Sequence, residues 1–173
     1  MTAPFTPKAG PETGPRTESL PQGDVDLLRT HVAQRLLRST ELARLAYTAR
    51  DGTPRVLPML FHWNGIELVV ATFAGAHKIT ALRERPAVAI TIDTAGIPPE
   101  VLLLRGAAEV TDVDGVAEEY VLAQRRYYGE EQAAATLADL GPGTRMARIA
   151  VRPTWVGVLD FVNRVPGALA VAS

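Results

Sequence analysis

Residues Arg55–Ile92 read RVLPMLFHWNGIELVVATFAGAHKITALRERPAVAITI. Arg55–Trp63 is apolar enough for a strand. Asn64-Gly65 follows as the strongest hairpin signal in the chain, a dipeptide suited to two turn positions with φ > 0. Ile66–Thr72 then pairs back as the next strand. A loop through Gly75 leads to a helix over Lys78–Arg85, stopped by Pro86, because the residue before proline is pushed out of helical geometry. Ala87–Asp93 is β-branched and alternating, the pattern of a half-buried strand.

Upstream, Asp51-Gly52 signals another hairpin, joining Arg55–Trp63 to a strand over Ala43–Thr48. Asp24 is placed to cap a helix running to about Ser39, with Leu28, Val32 and Leu36 on one face and Arg29, Arg35 and Arg38 outside. Downstream, Gly96, Pro98 and Pro99 precede a strand over Val101–Thr111, whose Leu102, Leu103 and Leu104 are expected to be buried on both faces. Asp112–Tyr128 and Gln132–Leu140 read as helices, the first with Val116, Tyr120 and Ala123 on one face. Met146–Val151 and Trp155–Phe161 read as strands joined by an Arg152-Pro153 corner.

About seven strands joined mostly by hairpins predict a mainly β protein, a closed or nearly closed antiparallel barrel with flanking helices. A doubly wound parallel sheet needs a helix after almost every strand, and no GxGxxG or GxxxxGK loop is present. The organisation expected is a disordered Pro- and Gly-rich arm over 1–23, one domain over 24–162, and an irregular tail over 163–173.

With 173 residues and 47% hydrophobic side chains, a single core is affordable. The net charge of −1 offers no basic field for nucleic acid. No run approaches the length of a membrane span, and no signal peptide is recognisable, so a cytoplasmic location is expected. The chain has no cysteine, which excludes disulfides, thiolate nucleophiles and cysteine-ligated metals. Serine stands only at 19, 39 and 173, never in a GxSxG turn. The three histidines form no HExxH or His-x-His pair, so no metal site is expected. Glu118-Glu119 and Glu130-Glu131 read as solvated helix surface, since adjacent residues do not share a helix face.

One constellation carries chemistry. Arg55 starts a strand, Thr72 ends its expected hairpin partner, and His77 and Lys78 follow at the start of a helix. Two or three cations, a hydroxyl and helix N-terminal amides converging at one end of a barrel would suit a phosphate. Spacing alone is equally compatible with ordinary surface cations and a strand threonine.

The ordered series Arg55, Pro58, Thr72, Lys78, Leu82, Pro86 resembles the pyridoxamine 5′-phosphate oxidase-like family of FMN-binding split barrels. LLLRGAAEV (102–110), RRYYGEE (125–131) and RPTWVGVLDF (152–161) extend the likeness over about residues 25 to 162. The resemblance implies a split β-barrel and a flavin-type cofactor, FMN or alternatively the deazaflavin F420. The phosphate would be held by Arg55, Thr72, His77 and Lys78, and the ring would lie along Leu57, Pro58 and Met59. It also implies a homodimer, in which Arg105 and Trp155 complete the partner's groove, and hydride transfer with a small organic substrate. His77 stands where the oxidases acting on pyridoxamine phosphate carry arginine, and their substrate clamp is not recognisable here. Arg29, Arg35 and Arg38 are candidates for the acidic tail of F420. No catalytic side chain is assigned. The competing reading on the same barrel is a non-catalytic flavin- or haem-binding sensor.

Overall fold

The computed structural model describes residues 20–166. Seven strands form one antiparallel sheet: β1 (Ala43–Thr48), β2 (Pro54–Met59), β3 (His62–Trp63), β4 (Leu68–Phe73), β5 (Ala87–Asp93), β6 (Val101–Asp114) and β7 (Arg145–Leu159). Their order across the sheet is β2-β1-β5-β6-β7-β4-β3. The sheet curls without closing, and this is the split-barrel architecture that the strand pattern and the resemblance predicted. Four helices flank it: α1 (His31–Arg38), α2 (His77–Glu84), α3 (Glu118–Tyr128) and α4 (Glu130–Ala138). None is long and apolar enough to cross a membrane.

The expected strand over Arg55–Trp63 is two strands. Its chain breaks at Leu60-Phe61, where Phe61 turns fully into the core. β2 pairs only with β1, whereas β3 pairs with β4, at the other end of the strand order. Arg55 and Thr72 are therefore not on hairpin partners, and only the curl of the sheet brings β2 and β4 face to face. The Asn64-Gly65 hairpin exists, but as a four-residue connection between Trp63 and Leu68. Gly65 alone has positive φ (99°), while the Asn64 side-chain oxygen accepts from the amides of Ile66 (2.9 Å) and Glu67 (2.8 Å). Asparagine here acts as an Asx turn rather than as a left-handed turn residue.

The expected helix from Asp24 to Ser39 is interrupted. Asp24 caps a 3-10 turn over Val25–Arg29, and Thr30 (ψ 151°) then restarts the chain as the N-cap of α1. Its hydroxyl donates to Leu27 O (2.7 Å) and accepts from Ala33 N (3.3 Å), the local competition that makes threonine a better cap than helix interior.

β6 runs on to Asp114, so the predicted helix over 112–128 starts only at Glu118, after Gly115 turns the chain at φ 95°. The two closing strands are one, because Arg152-Pro153 is a bulge and not a corner. Arg105 faces Trp155 and Gly106 faces Pro153, which leaves Thr154 as the extra residue. Proline has no amide to offer a ladder and is tolerated at such a bulge. Leu102 and Leu104 are fully buried but Leu103 is not, because an antiparallel sheet packed on one side buries alternate residues. The inner face of the sheet meets α1 and the 3-10 turn through Leu27, Leu36, Leu45, Ile90, Leu104 and Val156.

Of the arm expected over 1–23, residues 1–19 lie outside the described residues. Gln22 brackets β7, donating to Val158 O (2.7 Å) and accepting from Val158 N (2.9 Å), and the Gly23 amide donates to Val156 O (2.7 Å). The expected tail is described as far as residue 166.

Candidate functional site

The loop after β4 delivers the chain to α2 with Ala76 as N-cap, and no side chain caps the helix. The Ile79 amide donates to Ala76 O (2.9 Å), and no side chain accepts from the amides before it, the kind of helix start that suits an anion. Lys78, in the first turn, is partly buried, and its Nζ donates to Thr72 Oγ1 (3.1 Å). Burial holds its pKa below the ordinary lysine value. Among the described residues its ammonium has no carboxylate within 4.0 Å, although most of the arginines do. A desolvated cation without a counter-ion, beside a hydroxyl and an uncapped helix start, fits a phosphate.

Two clefts flank this point. One, of about 430 Å³, is lined by Tyr47, Arg50, Asp51, Arg55, Gly75 and His77, with Thr80 and Ala81. Arg55 therefore does reach the start of α2, alongside His77. Its guanidinium is not free, because it pairs with Asp51 (3.0 Å) and donates to Pro54 O (3.2 Å) and to Thr53 Oγ1. Asp51 is kept below the usual carboxylate pKa chiefly by the Thr53 hydroxyl and amide, with Arg55 adding to the effect.

The second cleft, of about 280 Å³, lies between the end of β2 (Pro58, Met59, Leu60), β4 (Val69, Ala71, Thr72, Phe73) and α3 (Glu119, Tyr120, Ala123, Gln124). Pro58, Met59 and Thr72 from the predicted set thus meet across it. Leu57 instead stands opposite Leu45 and is partly buried. The predicted residues fall into two groups: Arg55 and His77 on one cleft, Pro58, Met59 and Thr72 on the other. The Lys78–Thr72 hydrogen bond stands between them.

Arg105 and Trp155 are together but elsewhere. They face each other across β6 and β7, with the guanidinium 4.0 Å from the indole centroid. The register runs Val56–Ala46–Ala89–Arg105–Trp155, which puts them on the outer face of the sheet. The arginines considered for an acidic tail are engaged: Arg29 with Asp26 (3.5 Å), Arg35 with Glu100, and Arg38 with Gln34 (3.1 Å).

Sequence reading missed the α3 wall. Glu119, taken as solvated surface, is only 18% exposed and accepts from Arg148 Nε (2.7 Å), whose other arm holds Glu67 (3.1 Å). That bridge ties α3 to β4 and β7. Gln124 is buried and Tyr120 packs against Phe73, with ring centroids 6.1 Å apart. The available signal was the Tyr120-x-x-x-Gln124 spacing, which sets a polar group on the same helix face as a partly buried aromatic. His62 is partly buried beside Arg126, and burial first, then that cation, lowers its pKa.

The profile of the pyridoxamine 5′-phosphate oxidase family matches residues 30–157. Among solved structures, the chain is similar to an F420 reductase at 27% identity and a TM-score of 0.56, covering 70% of this chain and 93% of that one. It also resembles general stress protein 26 from Bacillus anthracis (19% identity, TM-score 0.56, 79% and 95% covered). A conserved hypothetical protein from Mycobacterium tuberculosis shares the fold (17% identity, TM-score 0.59, 76% and 84% covered). No curated protein matches the chain.

Proposed function

The chain belongs to the pyridoxamine 5′-phosphate oxidase family, and from that premise we propose that it is an oxidoreductase binding FMN or F420 by the phosphate. The observation that carries this reading is Lys78: a partly buried ammonium with no carboxylate partner among the described residues, at the start of α2, which no side chain caps, and bonded to Thr72. Lys78, the Thr72 hydroxyl and the first amides of α2 would hold the phosphate. His77 and Arg55 would add to the field from the adjoining cleft, Arg55 at the expense of its pairing with Asp51. The ring system would use the cleft edge at Pro58 and Met59. When bound, such a cofactor supplies hydride transfer, and the protein's task is to orient it and shield it from water. The likeness to an F420 reductase supports the deazaflavin. The engaged arginines of α1 leave an acidic tail to other cations.

The outer sheet face supports a homodimer. Val56 is 59% exposed, and Ala46 and Ala89 beside it give a small-residue surface that a second copy would cover, with Arg105 and Trp155 within it.

The test is a titration of the purified protein with FMN and, separately, with F420. Tight binding of one, weakened at least tenfold (about 1.4 kcal/mol) by Lys78→Ala, is the expected outcome. Equal affinity in wild type and variant overturns the phosphate assignment.

A further inference from the structure

The cleft of about 430 Å³ between the β1–β2 hairpin and α2 is lined by two arginines and a histidine, Arg50, Arg55 and His77. Asp51 is the one acidic residue among the described residues that line it. Arg50 turns towards Glu84 (3.6 Å), which lies outside the lining. An anion entering here therefore meets a single opposing carboxylate, and that carboxylate is already seated on Arg55.

The two oxygens of Asp51 have different partners. Oδ1 accepts from the amide (3.0 Å) and from the hydroxyl of Thr53, closing the hairpin turn in which Gly52 takes φ 82°. Oδ2 accepts from Arg55 Nη2 (3.0 Å). The turn needs only the first oxygen, and an uncharged side-chain oxygen accepts from a backbone amide in the same way. The charge and the second oxygen serve Arg55 alone.

That service is weak in stability and strong in competition. The pair is open to water, with Arg55 46% and Asp51 58% exposed, and an ion pair so placed contributes little to folding. A guanidinium forms paired, charge-assisted hydrogen bonds with a phosphate just as it does with a carboxylate. Oδ2 thus takes on Arg55 the place that a phosphate oxygen would take. Once displaced, the carboxylate stays tethered to Thr53 at the rim of the same cleft and repels the anion that displaced it.

We infer that Asp51 is an internal competitor of the cofactor's phosphate, holding Arg55 when no anion is bound and setting the affinity of the site by opposing phosphate entry. This rests on the phosphate seat proposed above, with Lys78 at its centre and Arg55 adding from the adjoining cleft. The alternative role, in which Asp51 aims Arg55 at the phosphate, predicts the opposite sign: its loss would weaken binding.

The experiment uses the full chain as wild type, Asp51→Asn and Asp51→Ser, two uncharged side chains whose oxygen can still close the turn. Inorganic phosphate, FMN and F420 are titrated separately, with circular dichroism as the check on folding. Lys78→Ala is run in parallel. Removing one like charge beside a bound anion should tighten binding about threefold or more in both Asp51 variants. Equal or weaker binding in either folded variant overturns the inference and assigns Asp51 to the turn or to positioning Arg55. If Lys78→Ala weakens binding while the Asp51 variants gain nothing, the competitor role alone fails. If the Asp51 variants gain while Lys78→Ala binds like wild type, the seat at Lys78 fails and the competition at Arg55 stands. Absence of binding by all three ligands in every protein overturns both.

Discussion

Replacing Arg148 with methionine tests whether one bridge holds the α3 wall of the site. The guanidinium spans Glu119 (2.7 Å) on α3 and Glu67 (3.1 Å) just before β4, and the three side chains are 18–25% exposed. Removing one partner of a buried pair typically costs ~3–5 kcal/mol because the other charge is stranded. Partial exposure lets water screen what remains, which brings the expectation to about 2 kcal/mol. For a chain of this size that corresponds to a melting temperature lower by roughly 4–8 °C. Acid should expose the same bridge. The Arg148 hydrogen bond is the main cause holding Glu67 below the ordinary glutamate pKa. A depressed carboxylate contributes stability above its unfolded pKa and loses it as pH falls through the folded value. Wild type should therefore lose stability below about pH 4.3 more steeply than Arg148→Met. Urea unfolding of wild type, Arg148→Met, Glu119→Gln and the double variant, at pH 7 and pH 4, measures both effects. Additive single-variant costs, with no coupling between 148 and 119, would refute the bridge as the tie between α3 and the sheet.

Lys78→Met should leave the cofactor-free protein at least as stable as wild type at pH 7 while weakening the cofactor. Burial lowers the lysine pKa, so the wild-type protein gains stability as pH rises from the folded pKa towards the unfolded one, and melts across pH 8–11 should show that gain vanish in the variant. Gly106→Ala places a Cβ 2.5 Å from Arg152 O at the β6–β7 bulge. Overpacking of this kind costs about 1–3 kcal/mol, and unchanged chemical denaturation would contradict the register found there. Ala89→Arg, in the middle of the outer face, should convert a dimer to monomers in sedimentation without lowering the melting temperature of the monomer; a wild-type monomer would remove the proposed interface.

The features legible in sequence are those decided within a few residues. β1 and β5 have the bounds their alternation predicted, and α2 lies within one residue of its expected start, because Pro86 stops it wherever the rest of the chain goes. Lys78 beside Thr72 was readable for a similar reason, since only six residues separate them. The α3 wall was not, because Gln124 and Glu119 look like ordinary helix surface until β4 and β7 are packed beneath them.

What the chain determined by itself was the alternation of apolar residues, the turns and the helix stops, and from these an antiparallel barrel with Lys78 set at the start of α2. The tertiary structure alone decided which strands pair. Phe61 finds its burial in the core, and this breaks an apparently continuous strand and sends its two halves to opposite ends of the sheet. Strand pairing joins residues far apart in sequence, and burial of the whole sheet face, not any local preference, selects among the possible registers.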